Sequence, residues 1–94
     1  MKIMVFCICY DLKAPGRDYT TLISAIKTYS TWWHHLDSTW FIETTNTNTA
    51  AAIRDYLRTF IDRNDELLVF PVATGWAGVG FQQQAYDWLR DHWN

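Results

Sequence analysis

Cysteine is scarce in this sequence: Cys7 and Cys9 are the only two in 94 residues. They lie two positions apart in an apolar run, so on a strand both side chains point to the same face. That geometry does not favour a disulfide between them, and no other Cys or His lies near in sequence to complete a zinc set. We therefore expect two reduced, buried thiols and a cytoplasmic protein, because disulfides are rare in that compartment.

Long hydrophobic runs and excess positive charge are also missing. The apolar run after Met1 and Lys2 has about nine residues, far short of the ~20 that a membrane-spanning helix needs, and we expect neither a signal peptide nor a membrane partner. Eight Lys and Arg face ten Asp and Glu, for a net charge of −2. Since phosphate neutralisation supplies much of the affinity for nucleic acid, this balance counts against tight duplex binding unless a local patch or a metal adds positive charge.

Apolar and aromatic residues are abundant instead: 49% of the chain is hydrophobic, and six residues are Trp. A chain of this length fits one domain and has a thin core, so oligomerisation is a common way to bury more surface. We divide the chain into a domain over residues 1–75 and a Gly- and Trp-rich extension with a helix over 76–94. The extension packs on the same domain or on a dimer partner.

The first half of the chain predicts a strand, a helix and two further strands. Ile3–Tyr10 is apolar without alternation, which is typical of a central strand covered on both faces. A Pro-Gly loop follows, and Asp18 is a plausible helix N-cap. Helical spacing then predicts about four turns, with the apolar positions Tyr19, Leu22, Ile23, Ile26, Tyr29 and Trp33. Residues 35–45 predict two short strands joined by a turn at Asp37 and Ser38.

The second half predicts a helix, a strand and a terminal helix. The polar residues 46–49 can cap a helix whose apolar stripe contains Ile53, Tyr56, Leu57, Phe60 and Ile61. Residues 66–74 predict the last strand, and Pro71 indicates a sheet edge or a bulge because proline cannot donate to a ladder. Residues 82–93 predict a helix with one apolar face formed by Ala85, Trp88, Leu89 and Trp93.

The predicted element order is β-α-β-β-α-β plus a terminal helix. Two right-handed crossovers of this kind put both helices on one face of a four-stranded antiparallel sheet, the α+β ferredoxin-like arrangement, with the first and third strands central. The terminal helix, a second protomer or both must cover the other face. A homodimer in which sheet faces sheet is the economical solution.

Several motifs resemble those of a known family. They are Tyr-Asp-Leu at the end of the first strand, Pro-Gly-Arg-Asp-Tyr in the loop, Trp-Trp-His-His-Leu-Asp-Ser-Thr-Trp, and Gly-Trp-Ala-Gly-x-Gly-Phe near the C-terminus. In order and motif they resemble the SinR-like branch of the small dimeric CRISPR-associated proteins of the integration machinery, the second CRISPR-associated protein family. The resemblance implies a ferredoxin-like homodimer that is either a metal-dependent nuclease or a non-catalytic scaffold. In the nuclease, the acidic residue that closes the first strand, here Asp11, carries Mg²⁺ at the dimer interface.

Asp11 is the leading candidate for a catalytic and metal-binding residue. A carboxylate is a hard ligand for Mg²⁺, which would polarise a phosphoryl oxygen or activate water. The alternatives are an Asp that caps the following turn and a ligand-binding residue without chemistry. Lys13 and Arg17 flank the same loop and could clamp a phosphate, although both suit a solvated loop. Ser38 resembles a small polar position beside the active carboxylate, and otherwise it forms the turn with Asp37.

Aromatic and imidazole side chains give further candidates. His34 and His35 are expected at the end of the first helix, where capping suits them better than shared metal binding or catalysis. Trp32, Trp33 and Trp40 could stack bases. Trp33 fits the core and Trp32 lies off the apolar stripe, so Trp32 is the candidate for substrate contact. Trp76, Trp88 and Trp93 are expected to seal the dimer or the open sheet face.

Two functional hypotheses follow. The first is a homodimeric Mg²⁺-dependent nuclease acting on single-stranded nucleic acid or a small phosphodiester. The second is a non-catalytic dimer that binds a nucleotide, a nucleic acid or a protein, and the acidic pI, the few acid–base residues and the many Trp favour it. A protein-interaction role in defence or in a toxin–antitoxin system is compatible with the resemblance.

Overall fold

The computed structural model describes residues 3–13, 19–45 and 47–93. These residues form an α+β fold with a four-stranded antiparallel sheet and three α-helices. In chain order the elements are β1 (Ile3–Asp11), α1 (Thr20–Ile26), β2 (Thr31–Leu36), β3 (Thr39–Thr45), α2 (Ala50–Leu57), a 3₁₀ turn (Arg58–Phe60), β4 (Glu66–Pro71) and α3 (Gln83–His92). None of the described helices has the length and apolarity needed to cross a membrane.

The strands lie in the order β2-β3-β1-β4. β1 and β3 are therefore central, and β2 and β4 are the edges, which confirms the predictions for β1 and for the Pro71 strand. β4 ends at Pro71, three residues before the predicted end. β2 and β3 are separate strands joined through Asp37 and Ser38, as the turn residues predicted.

One sheet face carries the main core. α1 and α2 both pack on it, which confirms that the two crossover helices share a face. Its buried residues come from β1, β3 and the two helices: Phe6, Ile8, Trp40, Ile42, Leu22, Ala25, Ile26, Ile53 and Leu57. Thr49 caps α2, its hydroxyl accepting a hydrogen bond from the Ala52 N–H at 3.0 Å, so the polar turn before α2 caps it as predicted.

The other sheet face is covered in part by α3. Trp33 on β2 donates its indole N–H to the Ala85 carbonyl at 3.1 Å, and Trp88 donates to the Thr31 hydroxyl at 2.8 Å. Ala85 and Leu89 are buried with Trp33, and around them pack Phe41, Trp76, Phe81, Trp88 and Trp93. The predicted apolar face of the terminal helix is confirmed, and it packs on β2 and β3 of its own chain.

The first helix is shorter than the periodicity predicted. α1 ends at Ile26, and Trp33 lies on β2, where it pairs in register with Phe41. The Thr28 hydroxyl and N–H both bond to the Ala25 carbonyl, at 2.6 and 3.2 Å, and close the helix in a turn. β-branched and aromatic residues then favour an extended chain from Thr31 onward. The prediction that Trp33 continues the helical stripe is therefore wrong, and the predicted N-cap, Asp18, lies outside the described residues.

Candidate functional site at the end of the first strand

Asp11 lies at the end of β1 as predicted, and it has a partner that the sequence did not indicate. Asp11 pairs in antiparallel register with Glu66, the first residue of β4. Register partners project from the same sheet face, so the two carboxylates stand side by side. Because side chains alternate along a strand, this is also the face of Cys9 and Leu68, opposite α1 and α2. We call Asp11 and Glu66 the carboxylate pair.

Lys13 lies between the two members of the carboxylate pair. Its Nζ is 3.0 Å from Glu66 Oε1 and 4.0 Å from Asp11 Oδ2. The hydrogen bond to Glu66 raises the pKa of Lys13, and the Asp11 charge adds to that effect. All three side chains are largely exposed, so these ion pairs contribute little to folding stability. Their effect is local, because the Lys13 ammonium already neutralises part of the negative charge of the carboxylate pair.

The loop that carries Lys13 is held in place by Asp65. The carboxylate of Asp65 accepts hydrogen bonds from the Lys13 N–H at 2.7 Å, the Tyr19 hydroxyl at 2.7 Å and the Asp62 N–H at 2.8 Å. Three donors on one carboxylate join the segment after β1 to the segment before β4. Asp65 thus supports the turn after β1 at Lys13, while the alternative in which Asp11 caps that turn depends on residues 14–16, which lie outside the described residues, and stays a prediction.

Ser38 lies close to this end of the sheet. Its carbonyl accepts a hydrogen bond from the Tyr10 N–H at 3.1 Å, which extends the β1–β3 ladder to the residue before Asp11. The fold thus brings Asp11, Lys13 and Ser38 to one end of the sheet. Arg17 lies outside the described residues.

Trp32 is not part of this group. It pairs with Ile42, which pairs with Phe6, five residues before Asp11. At ~3.3 Å per residue this is about 16 Å along the sheet. Trp32 also points to the helix face, where Lys27 Nζ lies 4.9 Å from its ring centroid. Trp32, the candidate for substrate contact, therefore lies apart from Asp11.

The remaining aromatic and imidazole candidates are structural. His34 and His35 lie on β2, not at a helix end, so the predicted helix-capping role is wrong. The His34 ring stacks on Trp40 with centroids 3.7 Å apart. Trp40 is fully buried and donates to the Tyr10 hydroxyl at 2.9 Å, so its ring faces are not open to a base.

The donor chemistry at Asp11 suits Mg²⁺, which proteins hold through one or two carboxylates, waters and substrate phosphates. Asp11 and Glu66 supply two such carboxylates. Among the described residues, no set of three or more acidic, His or Cys side chains is arranged to hold a metal. In the part of the chain that the structure describes, Asp11 and Glu66 are the two residues that would hold a Mg²⁺ here, in competition with Lys13.

A strip of exposed apolar side chains continues from the carboxylate pair along the same face. Leu36, Thr39, Cys9 and Leu68 form one row by register, and Cys7 and Phe70 pair in the next. Leu68 is 60% exposed, Leu36 47% and Phe70 39%. α3 packs on the β2 side of this face and leaves these side chains uncovered. We call Leu36, Cys9, Leu68 and Phe70 the open strip.

The two thiols lie under and within this strip. Both are free, with Cys7 buried and Cys9 half-buried, and their sulfur atoms are 3.3 Å apart. Burial, with the hydrogen bond to Cys9, raises the pKa of Cys7 to about 12. Cys7 is therefore an inert core thiol, as expected, while Cys9 reaches the surface.

A groove lined by arginines lies on the helix side of the same end of the sheet, between the end of α2 and the start of β4. It has a volume of about 450 Å³ and is lined by Arg54, Arg58, Ile61, Asp62, Arg63, Asp65 and Leu67. We call it the arginine groove. Its signal in the sequence is the spacing of Arg54 and Arg58, which are four apart, a spacing that places two helical side chains together.

No protein-family model matches this sequence, and no curated protein matches it either.

Proposed function

We propose that this protein is a homodimeric module that assembles through the open strip and binds nucleotides or single-stranded nucleic acid beside the carboxylate pair. The open strip is the observation that carries the proposal. Its apolar side chains belong to the sheet and are uncovered by their own chain, and contiguous apolar surface of this kind marks an interface. A second copy is the occupant we infer, because a small chain gains core by pairing and a sheet face can pair with itself about a twofold axis.

The dimer is tested with a matched pair of charge substitutions. Leu68→Glu places a carboxylate in the open strip, whereas Val79→Glu makes the same change at a residue that is 88% exposed and lies outside the sheet. We expect sedimentation velocity to give a dimer for the wild type and for Val79→Glu, and a monomer for Leu68→Glu. A wild-type chain that stays monomeric at high micromolar concentration would overturn the assembly.

Binding without chemistry is the function that the site supports best. Lys13 offers an ammonium donor that an incoming phosphate can share, and Ser38 adds a nearby hydroxyl. The carboxylate pair disfavours long polyanions, which suits a short or single-stranded ligand better than duplex. Titration of intrinsic Trp fluorescence with nucleotides and oligonucleotides tests this function, and a flat response to all of them would contradict it.

Mg²⁺-dependent phosphodiester hydrolysis is the second candidate, and the register pairing of Asp11 with Glu66 favours it. A bound Mg²⁺ would supply Lewis-acid polarisation of a phosphoryl oxygen and an activated water. Asp11 and Glu66 would hold it, and Lys13 would turn toward the phosphate. The test is cleavage of single-stranded RNA and DNA with Mg²⁺ or Mn²⁺. Activity that survives in Asp11→Ala would exclude the assignment.

We also propose the ferredoxin-like arrangement and membership of the CRISPR-associated family that the motifs resemble, with a role in defence or in a toxin–antitoxin system. The β-α-β-β-α-β order and the central positions of β1 and β3 support the arrangement. Two free thiols support a reducing, cytoplasmic location. Co-purification of the tagged protein with host nucleic acid would test the biological setting, and recovery without any nucleic acid would count against it.

A further inference from the structure

We propose that the arginine groove is a second ligand site, which takes one nucleotide unit of a single-stranded nucleic acid, its phosphate held by Arg58 and Arg63. This inference rests on the nucleic-acid-binding part of the proposed function and does not require the dimer or any chemistry at Asp11. It adds phosphate contacts on the helix side of the sheet to those proposed beside the carboxylate pair.

Three arginines line this groove, out of eight Lys and Arg in the whole sequence. Arg54 and Arg58 come from one side of α2 and the 3₁₀ turn that follows it, and Arg63 comes from the loop before β4. A guanidinium presents five N–H donors in a planar fork that matches the oxygens of a phosphate. The local fold thus gathers phosphate-binding groups that the sequence spreads over ten positions.

The donors of these arginines are only partly used. Arg54 makes a close ion pair with Asp55, at 2.9 Å, and Arg58 reaches the same carboxylate at 3.8 Å. Arg63 has no ion-pair partner among the residues that the structure describes. Arg63 therefore has its full set of donors for a ligand, and Arg58 keeps most of its own.

The carboxylates near the groove lower its positive electrostatic potential but leave arginine N–H donors for a ligand. Asp55, Asp62 and Asp65 balance the three arginines in formal charge, so the groove is not a strongly basic patch. Asp65, however, directs its oxygens to the Lys13 N–H, the Tyr19 hydroxyl and the Asp62 N–H. Recognition here depends on unused N–H donors rather than on net charge, which predicts modest affinity and a shallow dependence on salt.

The groove also has an apolar wall. Ile61 and Leu67 also line it, and both are half-buried against the main core. A site that combines guanidinium groups with aliphatic surface suits a nucleotide, which combines a phosphate with a base. Inorganic phosphate alone would leave this wall without a contact.

The experiment measures the affinity of fluorescein-labelled oligo-dT and oligo-U by fluorescence anisotropy at several salt concentrations. Arg63→Ala and Arg58→Ala are the test variants. Arg90→Ala is the matched control, since Arg90 is equally exposed but lies on α3, paired with Asp87 and Asp91. We expect the test variants to weaken binding about tenfold, the usual effect of losing a charge-assisted hydrogen bond, and Arg90→Ala to change it little. Arg63→Lys should recover only part of the loss, because it keeps the charge but not the fork.

The possible outcomes distinguish a failure of the arginine-groove site from a failure of the proposed function. If the wild type binds oligonucleotide and all three alanine variants bind equally well, the arginine groove is not the site, while the proposed function stands. If the wild type binds neither oligonucleotide nor adenosine monophosphate, both are overturned. Competition by inorganic phosphate as strong as that by adenosine monophosphate would overturn the role of the apolar wall and the nucleotide assignment.

Discussion

Asp11 and Glu66 are register partners at the open end of the β1–β4 ladder, and Lys13 lies within 4.0 Å of both carboxylates. This arrangement determines the charge of the predicted site. Two like charges on neighbouring strands repel each other unless a cation lies between them. The protein supplies that cation from its own loop, so part of the negative charge of the carboxylate pair is neutralised without a metal, and changing one residue would remove that neutralisation.

Removing the Lys13 cation should convert the carboxylate pair into a better site for a divalent ion. In Lys13→Ala the two carboxylates lose their neutralising partner, and we expect Mn²⁺, followed by electron paramagnetic resonance, to bind several-fold tighter than to the wild type. Lys27→Ala is the control, because Lys27 lies over Trp32, distant from Asp11. Equal Mn²⁺ affinity in the wild type and Lys13→Ala would mean that the carboxylate pair is not a cation site.

The docking of α3 should depend on the indole N–H of Trp33. Trp33→Phe keeps an aromatic ring but loses the buried hydrogen bond to the Ala85 carbonyl and some packing volume. We expect the free energy of unfolding to fall by ~2–3 kcal/mol. Trp32→Phe, at a side chain that is 39% exposed, should cost less than half as much. Urea titration checks both, and similar losses for the two variants would contradict the assignment of Trp33 to the α3 interface.

The sheet could be predicted because its strongest signals are local. A run apolar on both faces indicates a central strand, and Pro71 indicates a sheet edge or a bulge, so the positions of β1 and β4 could be predicted without knowing their partners. The end of α1 could not be predicted from local sequence signals. Tyr29 and Trp33 are four apart, a helical spacing, and the extended conformation of Trp33 depends on Phe41 and Leu89, which are distant in sequence.

The residues of the candidate site also fall into two groups: those that the sequence indicates and those that only the fold brings together. Asp11 and Lys13 could be placed together because both lie near the end of the first strand, whereas Ser38 joins them in the prediction only through the family resemblance. Glu66 was missed because only the β1–β4 register makes it a neighbour of Asp11. The arginine groove was missed because it needs the 3₁₀ turn at Arg58–Phe60 to bring Arg63 back toward Arg54.

The cap of α2 should contribute measurably to stability. Thr49→Ala removes the hydroxyl that accepts from the Ala52 N–H, and we expect the free energy of unfolding to fall by ~1 kcal/mol. Thr21→Ala makes the same chemical change at an exposed position inside α1, where Ala is the better helix former. Its effect should be neutral or slightly stabilising. Thermal unfolding followed by circular dichroism compares the two, and equal destabilisation would show that the cap is not the cause.

The two thiols should differ sharply in reactivity. The thiolate is the nucleophile, and burial raises the pKa of Cys7 to about 12, so Cys7 stays protonated in neutral and mildly alkaline solution. Iodoacetamide at pH 8 should modify Cys9 and leave Cys7 intact in the folded protein, as read by peptide mass spectrometry. Modification of both at equal rates would contradict the burial of Cys7.

The same pKa makes stability depend on pH. Below pH 9 the thiol of Cys7 is protonated in both the folded and the unfolded chain, so it adds no pH dependence. Between pH 9 and about 12 the unfolded chain loses this proton while the folded chain keeps it, and the free energy of unfolding falls as pH rises. Cys7→Ala removes this contribution and should show a shallower decline over that range. Parallel declines in the wild type and Cys7→Ala would show that Cys7 does not hold its proton more tightly in the folded state.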